Sequence, residues 1–215
     1  MSIKGHEYCV QNGINRSHIG KTIYSLASII SSLTIIHYLK KYNFINSISE
    51  SIISAILTAV LFLVIYKIFN RWIWKFKYLI KFINFPNISG KWHCEAVSSY
   101  NGGFPWSGTV TVEQTWDKLR IVLSTNQSSS ESVAAAIIYD PIKGYRILYN
   151  YKNVPTDLNG DLSYHIGFVE LVLSEDSHSA QGTYYNVAGR TNTGTMTWTK
   201  KPSDRNIFKI FFRNS

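Results

Sequence analysis

Two apolar runs without a charged residue dominate the N-terminal third of this chain. The first run covers Thr22–Leu39 and has lysines at both ends, and the second covers Ser51–Tyr66 and continues past Lys67 to Phe69. Eighteen helical residues reach roughly 27 Å, close to the ~30 Å thickness of the hydrocarbon core of a bilayer. The sequence therefore predicts a two-helix transmembrane hairpin over residues 22–69.

Two other interpretations of these runs fit the flanking residues less well. Buried core helices of a soluble protein do not need basic residues at their ends, nor the Trp72 and Trp74 that follow the second run and are typical of a membrane interface. A secretory signal peptide does not follow a long polar leader, and Lys40-Lys41 stand where a small-residue cleavage site belongs.

The basic residues are concentrated beside the apolar runs. Of the formal net charge of +9, residues 1–82 contribute +8, from ten Lys/Arg and two acidic residues, whereas residues 83–215 contribute +1. The C-terminal part therefore lacks the broad basic face that duplex nucleic acid requires, and no DNA or RNA partner is expected. Cys9 and Cys94 are the two cysteines and indicate no disulfide framework, which suits a reducing compartment.

The same charges predict the orientation in the membrane. The N-terminal arm, residues 1–21, carries three basic residues, and the basic aromatic linker, residues 70–86, follows a second span that ends at Lys67. The short connecting loop holds only Lys40 and Lys41. The positive-inside rule then predicts that both termini are cytoplasmic, with the linker at the inner surface of the bilayer.

After Pro86 the pattern changes to short alternating strands between turn signals, so residues 87–215 are expected to form an all-β cytosolic domain. The eight expected strands cover residues 90–98, 106–114, 118–124, 131–139, 145–152, 163–173, 179–186 and 193–200. Eight antiparallel strands of this length indicate a barrel or a sandwich, and we favour a small up-and-down β-barrel. Residues 206–212 could add a ninth strand or a short helix.

Alternation along the strands assigns the barrel interior. The inward set is expected to contain Trp92, Cys94 and Ala96 on the first strand, Tyr145, Ile147, Tyr149 and Tyr151 on the fifth, Val169, Leu171 and Leu173 on the sixth, and Gly194, Met196 and Trp198 on the last. Large rings beside glycines can form an aromatic pocket for a planar ligand. The alternative is that these rings simply fill the core.

Catalytic and metal-binding motifs are missing from the sequence. Gly20-Lys21-Thr22 resembles the end of a phosphate-binding loop, but Asn15 stands where the first glycine belongs and the motif opens a membrane span. The six histidines have no metal-ligand spacing, and no G-x-S-x-G occurs. The motifs therefore call for no enzyme, no metal and no resident cofactor, and the resemblance described next implies a binding protein without catalytic residues.

The whole arrangement resembles one family. A two-helix hairpin and a basic aromatic linker precede a barrel that opens with Ile88-Ser89-Gly90-Lys91-Trp92. The barrel closes with Ala180-Gln181-Gly182-Thr183-Tyr184-Tyr185-Asn186, then Arg190 and Gly194-Thr195-Met196. These features are similar to the SMODS-associating two-transmembrane, β-strand-rich effectors of bacterial CBASS anti-phage defence, a family also called CD-NTase-associated protein 15.

The resemblance implies a function. An infection-activated nucleotidyltransferase, the CD-NTase, makes a cyclic dinucleotide that the barrel binds as its activating ligand. The protein then forms a homo-oligomer, and its transmembrane segments disrupt the bacterial inner membrane, which causes abortive infection. The partners implied are therefore the cyclic dinucleotide, the lipid bilayer and further copies of the chain.

A cyclic dinucleotide needs aromatic faces for its bases and cationic or polar donors for its phosphates. The candidates for stacking are Trp106, Tyr149, Tyr151 and Tyr184. The candidates for phosphates and base edges lie at or near one hairpin and are Thr183, Asn186, Arg190 and Thr195. Two alternatives stay open: a membrane-tethered, lipocalin-like carrier or sensor of an apolar small ligand, and a structural membrane subunit whose barrel only mediates assembly.

Overall fold

The computed structural model of this chain describes residues 5–39, 47–156, 164–188 and 191–202. These residues form two compact units. The helical unit runs from Ile14 to Ile83, and the β unit combines the residues up to Gly13 with those from Asn84 onward.

The helical unit contains two long helices and two short ones. They are α1 (Arg16–Thr34), which continues as a π-helical segment (Ile35–Leu39), α2 (Ser47–Arg71), a 3-10 helix (Ile73–Lys75) and α3 (Lys77–Ile83). Asn15 caps α1, because its side-chain oxygen accepts a hydrogen bond of 3.0 Å from the backbone N–H of Ser17.

Both long helices have the length and composition of membrane spans, over Arg16–His37 and Glu50–Lys75. Their large apolar side chains are exposed, at 60% for Leu33 and 65% for Leu63, whereas a helix in a soluble core buries such side chains. The sequence predicted two helices here, and the structure has two that are long and apolar enough to cross a membrane.

Small residues pack α1 against α2. Ala27 and Ser31, four residues apart on α1, are fully buried, and the Ser31 hydroxyl donates to the backbone carbonyl of Ser54 on α2 at 3.0 Å. Ala55 and Ala59, also four residues apart but on α2, are instead exposed. Packing within the chain therefore leaves these two alanines on the outer surface of the helix pair.

Within the described residues, the β unit is a single closed sheet of nine strands. The strands are β1 (His6–Gln11), β2 (Gly90–Ser98), β3 (Phe104–Gln114), β4 (Lys118–Ser124), β5 (Ser128–Asp140), β6 (Gly144–Pro155), β7 (His165–Leu173), β8 (Ser179–Ala188) and β9 (Asn192–Lys200). Strands β2 to β9 follow each other antiparallel around the barrel, and β2 pairs with β9 to close it. The predicted all-β domain is confirmed, with β2 to β9 starting and ending within three residues of the expected strands.

The predicted count of eight strands is wrong, because the N-terminal segment supplies a ninth. Near Ser124, β4 pairs with β5, but the two strands separate beyond Ser132. Strand β1 fills this gap, antiparallel to β4 and parallel to β5, and the Ser132 hydroxyl accepts from the backbone N–H of Ile121 at 2.9 Å where the strands part. Residues 206–212, the other candidate for a ninth strand, lie outside the described residues.

One end of the barrel, called here the closed end, is sealed by apolar side chains. Phe85 lies between Tyr8 and Trp116, with ring centroids 6.3 Å and 5.5 Å away, and all three residues are buried. Buried Gln114 accepts from the backbone N–H of Ile88 at 2.9 Å. Strand β1 leaves the barrel at this end and β2 enters here, so both connections to the helical unit start from the closed end.

The predicted interior faces are buried except at Tyr145 and Gly194, which are half-buried. Trp92, Cys94, Ile147, Leu171 and Trp198 are all completely buried, as alternation along their strands requires. Because a shift by one residue would turn every one of these side chains to solvent, burial of one face determines the register of each strand.

Candidate functional site

The opposite end of the barrel, called here the polar end, has a different lining. Strands β2, β6 and β8 end here, and β5, β7 and β9 begin here. The buried polar side chains at this end are Ser98, Ser128, Ser130, Asn153, His165 and Asn186. Buried polar groups are unfavourable unless they find partners, so the concentration of six of them at this end marks a candidate binding site.

A chain of hydrogen bonds, called here the polar bridge, crosses this end. The Tyr151 hydroxyl donates to Asn186 Oδ1, and Asn186 Nδ2 donates to Asn192 Oδ1. Asn192 Nδ2 then donates to the Ser98 hydroxyl at 2.9 Å. The bridge connects β6, β8, β9 and β2 through four side chains. A polar ligand could replace each hydrogen bond between them with one of its own.

Aromatic rings lie directly beneath and beside the polar bridge. The rings of Tyr149 and Tyr151 are 6.1 Å apart, and Tyr149 is 6.0 Å from Trp198 below it. Across the barrel, Trp106 meets Tyr184 edge to face at 5.8 Å, and its indole N–H donates to the Tyr184 hydroxyl at 3.2 Å. Ring faces of this kind can stack on nucleobases.

Two glycines make room for the tyrosine rings. A Cβ at Gly167 would overlap the ring of Tyr151, and a Cβ at Gly194 would overlap the ring of Tyr184. Each ring therefore lies across the backbone of a neighbouring strand. The prediction that Gly194 and large rings lie side by side agrees with this geometry, whereas Gly167 was not singled out from the sequence.

Burial keeps the inward phenols protonated. Desolvation raises the pKa of Tyr149 well above its ordinary value, and desolvation also raises the pKa of Tyr151. Desolvation likewise raises the pKa of the buried Cys94 thiol to about 12. At neutral pH the tyrosine hydroxyls are therefore neutral hydrogen-bond donors that add no negative charge to the site.

A second polar cluster, on β5 and β6, lies beside the bridge. The Asn153 amide donates to the hydroxyls of Ser128 at 2.9 Å and Ser130 at 2.8 Å. His165, the register partner of Asn153 on β7, lies with its ring centroid 6.3 Å from that of Tyr151. This cluster extends the polar lining from the bridge across β5, β6 and β7.

The structure brings most of the predicted ligand residues together. Tyr149, Tyr151, Tyr184 and Asn186 are buried at or near the polar end, and Trp106 is half-buried beside them. The six buried polar residues described at this end are Ser, Asn and His, so none of them brings the permanent positive charge of a lysine or an arginine. Arg190, the predicted cation, lies outside the described residues, between the ends of β8 and β9 that close the bridge.

Thr183 and Thr195 do not join this group. They are register partners on β8 and β9, and their positions alternate with the inward Tyr184 and Met196. Thr195 is exposed, and the Thr183 hydroxyl contacts the hydroxyl of the outward Tyr185 at 3.4 Å. Both threonines therefore belong to the outer face of the barrel.

Six polar residues at this end, Asn192 of the polar bridge among them, were not predicted from the sequence, although a signal was present for some of them. Continuing the alternation from Tyr149 and Tyr151 puts Asn153 at the next inward position, and continuing back from Val169 puts His165 inside. Ser98, Ser128 and Ser130 carried no comparable signal, because serines at strand ends are usually solvated.

An open depression of about 560 Å³ lies on β2, β3 and β9 and shares Trp106 with the candidate site. Its lining includes the outward Glu95, Val97 and Thr195, so it faces mainly the exterior of the barrel. It holds none of the six buried polar residues of the polar end. The polar end is therefore the better candidate site. Within the described residues, no cluster of His, Cys, Asp and Glu could hold a metal ion.

Comparison with known proteins connects this geometry to a family. The family model described as Cap15, cyclic dinucleotide receptor domain, matches residues 83–200, which include every strand of the barrel except β1. The chain is 41% identical over 204 residues to CD-NTase-associated protein 15 of Yersinia aleksiciae, and this match covers 92% of the chain and 98% of that relative. The chain therefore belongs to the CD-NTase-associated protein 15 family of CBASS-associated proteins, as its sequence predicted.

Proposed function

We propose that this chain is a membrane effector of a cyclic-oligonucleotide-based anti-phage defence system, CBASS, and that the polar end of its barrel binds a cyclic dinucleotide. The observation that carries the proposal is the concentration of six buried polar side chains and three tyrosines at one end of the barrel. Membership of a family with a cyclic dinucleotide receptor domain supports the same ligand.

The polar bridge explains how such a ligand enters. A base that stacks on Tyr151 or Tyr184 separates Tyr151 from Asn186, and polar atoms of the ligand replace the hydrogen bonds that the bridge loses. Because the ligand forms about as many hydrogen bonds as the bridge loses, these bonds contribute little to the net free energy of binding. That free energy then comes from base stacking and from the contacts of the phosphates. A ligand without polar atoms leaves the bridge residues unsatisfied, which disfavours the apolar-carrier alternative.

The two phosphates require donors that the described lining supplies only in part. Serine, asparagine and tyrosine offer neutral donors, whereas a phosphate prefers the charge-assisted bonds of a guanidinium. In the sequence, Arg190 stands four residues after Asn186 and two residues before Asn192, where β9 begins. We therefore assign Arg190 to the phosphates, and we leave Thr183 and Thr195 out of the proposed site because they lie on the outer face.

Strand β1 supports the proposed topology. It precedes α1 in the chain and pairs with β4 and β5 of the barrel, so the segments before and after the two long helices occupy one compartment. Two crossings of the bilayer satisfy this requirement, and the excess of Lys/Arg on these flanks favours the cytoplasm. The barrel then meets a messenger made in the cytosol.

Activation is proposed to proceed through self-association and disruption of the bacterial inner membrane. A ligand can drive assembly only if it binds the assembled state more tightly than the resting state. The exposed Ala55 and Ala59 offer small side chains for close helix approach in lipid. Loss of membrane integrity then ends the infection by death of the host cell, with no catalytic step in this chain.

Calorimetry on the full-length protein in detergent tests the ligand assignment. The titrants are cyclic di-AMP, cyclic di-GMP, cyclic di-UMP and cyclic GMP–AMP, with palmitate as the apolar comparison. We expect saturable binding of at least one cyclic dinucleotide and none of palmitate. Binding of palmitate alone would favour the apolar carrier, and no binding of any titrant would favour a barrel that only mediates assembly.

A further inference from the structure

Asn153 contains a buried polar atom with no partner among the described residues. Its side chain is 5% exposed and shares the inward face of β6 with Tyr149 and Tyr151. The amide nitrogen is satisfied by the hydroxyls of Ser128 and Ser130, but the amide oxygen, Oδ1, accepts no hydrogen bond from any residue that the structure describes. Buried carbonyl oxygens in folded proteins almost always have a partner.

The two serines hold the amide in place but do not satisfy both of its ends. Their hydroxyls can donate or accept, so turning the amide by 180° would exchange its oxygen and nitrogen without supplying a further partner. In either orientation one amide atom of Asn153 has no hydrogen-bond partner among the described residues, with hydroxyl groups beside it. This hydrogen-bonding capacity, which no described side chain uses, is available to an incoming molecule.

We propose that Asn153, oriented by Ser128 and Ser130, reads the edge of one base of the bound cyclic dinucleotide and so determines which dinucleotide is preferred. This inference rests on the proposed function of the polar end. Asn153 Oδ1 accepts from an N–H on the base edge, and a serine hydroxyl donates to the adjacent acceptor atom of that base. The neighbouring Tyr151 ring supplies the face on which the same base stacks.

An asparagine and two serines are suited to distinguish one cyclic dinucleotide from another rather than to strengthen the binding of all of them. Phosphate contacts are the same for every cyclic dinucleotide, and stacking tolerates every base, so neither distinguishes one ligand from another. A buried site built to hydrogen-bond one group rejects an analogue that lacks it, because the unpaired atoms then stay desolvated. Asn153 is thus a specificity-determining residue, and Ser128 and Ser130 are positioning residues.

Calorimetry on the full chain with cyclic di-AMP, cyclic di-GMP, cyclic di-UMP and cyclic GMP–AMP tests this role. We expect wild type to bind these ligands with different affinities. Asn153→Ala should weaken the best ligand by about ten- to a hundredfold and the poorest by less than about threefold, so that the ranking is compressed. Asn150→Ala, on the same strand but facing outward, is the matched control and should leave every affinity unchanged.

A second variant keeps the test valid if Asn153→Ala unfolds. Ser130→Ala retains the amide but removes one of its two anchors, and should compress the ranking to a smaller extent. Equal weakening of all four ligands by Asn153→Ala would mean a general structural role and would overturn the inference while leaving the binding function intact. Equal affinity of wild type for all four ligands would also overturn it, and no binding by wild type would overturn both proposals.

Discussion

At the scale of single residues, the two ends of the barrel interior differ in chemistry. Trp92 and Leu171 are completely buried in the apolar half, whereas Asn153 and Asn186 are buried at the polar end. Alternation along β6 predicted the inward position of Tyr149 and Tyr151, because one buried face determines the register of a strand. The same alternation reaches Asn153, but a buried asparagine was not expected from residue type alone.

Arg190 provides the first prediction at this scale. Arg190→Ala should weaken cyclic dinucleotide binding by about ten- to a hundredfold, because a charge-assisted phosphate contact contributes about 1.5–3 kcal/mol. Lys118→Ala is the control, since Lys118 begins β4 at the closed end. Calorimetry with the best ligand of wild type gives both values. Equal effects of the two substitutions would remove Arg190 from the site without affecting the rest of the proposal.

The two thiols should differ in reactivity. Cys9 is exposed on β1, whereas Cys94 is buried and desolvation raises its pKa to about 12. A thiol reagent at pH 8 should therefore modify one thiol per folded chain and two after denaturation. Mass spectrometry identifies the modified residue, and rapid modification of Cys94 in the native protein would contradict the inward face of β2.

The raised pKa values also predict the pH dependence of stability. The Cys94 thiol and the Tyr151 phenol are protonated in the folded state at pH values where they would ionise in the unfolded chain. Their contribution is fully present below pH 9, the ordinary pKa of the thiol, and is lost as pH rises toward 12. In thermal unfolding, the midpoint temperature should therefore decrease as the pH is raised above 9.

At the scale of secondary-structure elements, strand β1 shows where sequence reasoning fails. Strands β2 to β9 could be read from turn signals and alternation because each pairs with its neighbours in sequence. Strand β1 has six residues and pairs with β5 more than a hundred residues away, across both long helices. A pairing so distant leaves no local pattern, and the segment looked like a polar arm.

A disulfide tests the position of β1. Cys9 on β1 and Ala136 on β5 are register partners on the outer face of the barrel. Ala136→Cys should allow an intramolecular disulfide, because neighbouring strands bring Cα atoms within bridging distance, and oxidation should raise stability by about 2–5 kcal/mol. Non-reducing gels detect the cross-link. Thr111→Cys, on β3, is the control that should form none.

A bridge only between different chains would show that β1 is exchanged between copies. Absence of any bridge in Ala136→Cys would contradict the pairing of β1 with β5. Formation of an intramolecular bridge in Thr111→Cys would mean that the assay reports collisions rather than register.

The exposed alanines of α2 carry the prediction about assembly. Replacing Ala55 and Ala59 with leucine keeps the helix apolar but blocks close approach of another helix, so cells with an activating nucleotidyltransferase should exclude a membrane-impermeant dye. Ligand binding by the barrel should be unchanged. Ile56→Leu with Val60→Leu, also on exposed positions, is the control and should leak like wild type. Dye entry at the wild-type rate in the alanine variant would show that another surface assembles the protein.

At the scale of the whole molecule, the β unit has one apolar end and one polar end, and the chain connects to its helices only at the apolar end. Both segments that flank the long helices, β1 and the residues before β2, pack into that end through Tyr8 and Phe85. Strand β5 contributes Ser128 and Ser130 at the polar end and pairs with β1 toward the other end.

Composition predicted this division of the chain into apolar helices and a nearly neutral β domain, and the resemblance to a known family predicted the ligand class. The side-chain contacts of the site could not be read in the same way. The polar bridge depends on Tyr151 reaching across Gly167 to Asn186, a contact set by barrel closure and by the missing side chain of the glycine. Residue spacing along one strand contains no information about such a contact.

Hydrogen–deuterium exchange of the full-length protein, with and without a saturating cyclic dinucleotide, tests the central claim most directly. We expect slower exchange at the polar end, in the peptides that contain the end of β6, the start of β7 and the ends of β8 and β9 that meet at Asn186 and Asn192. Exchange at the closed end, around Trp92 and Gln114, should be unchanged. Protection confined to the closed end or to the outer face around Thr195, with none at the polar end, would contradict the assignment of the ligand site.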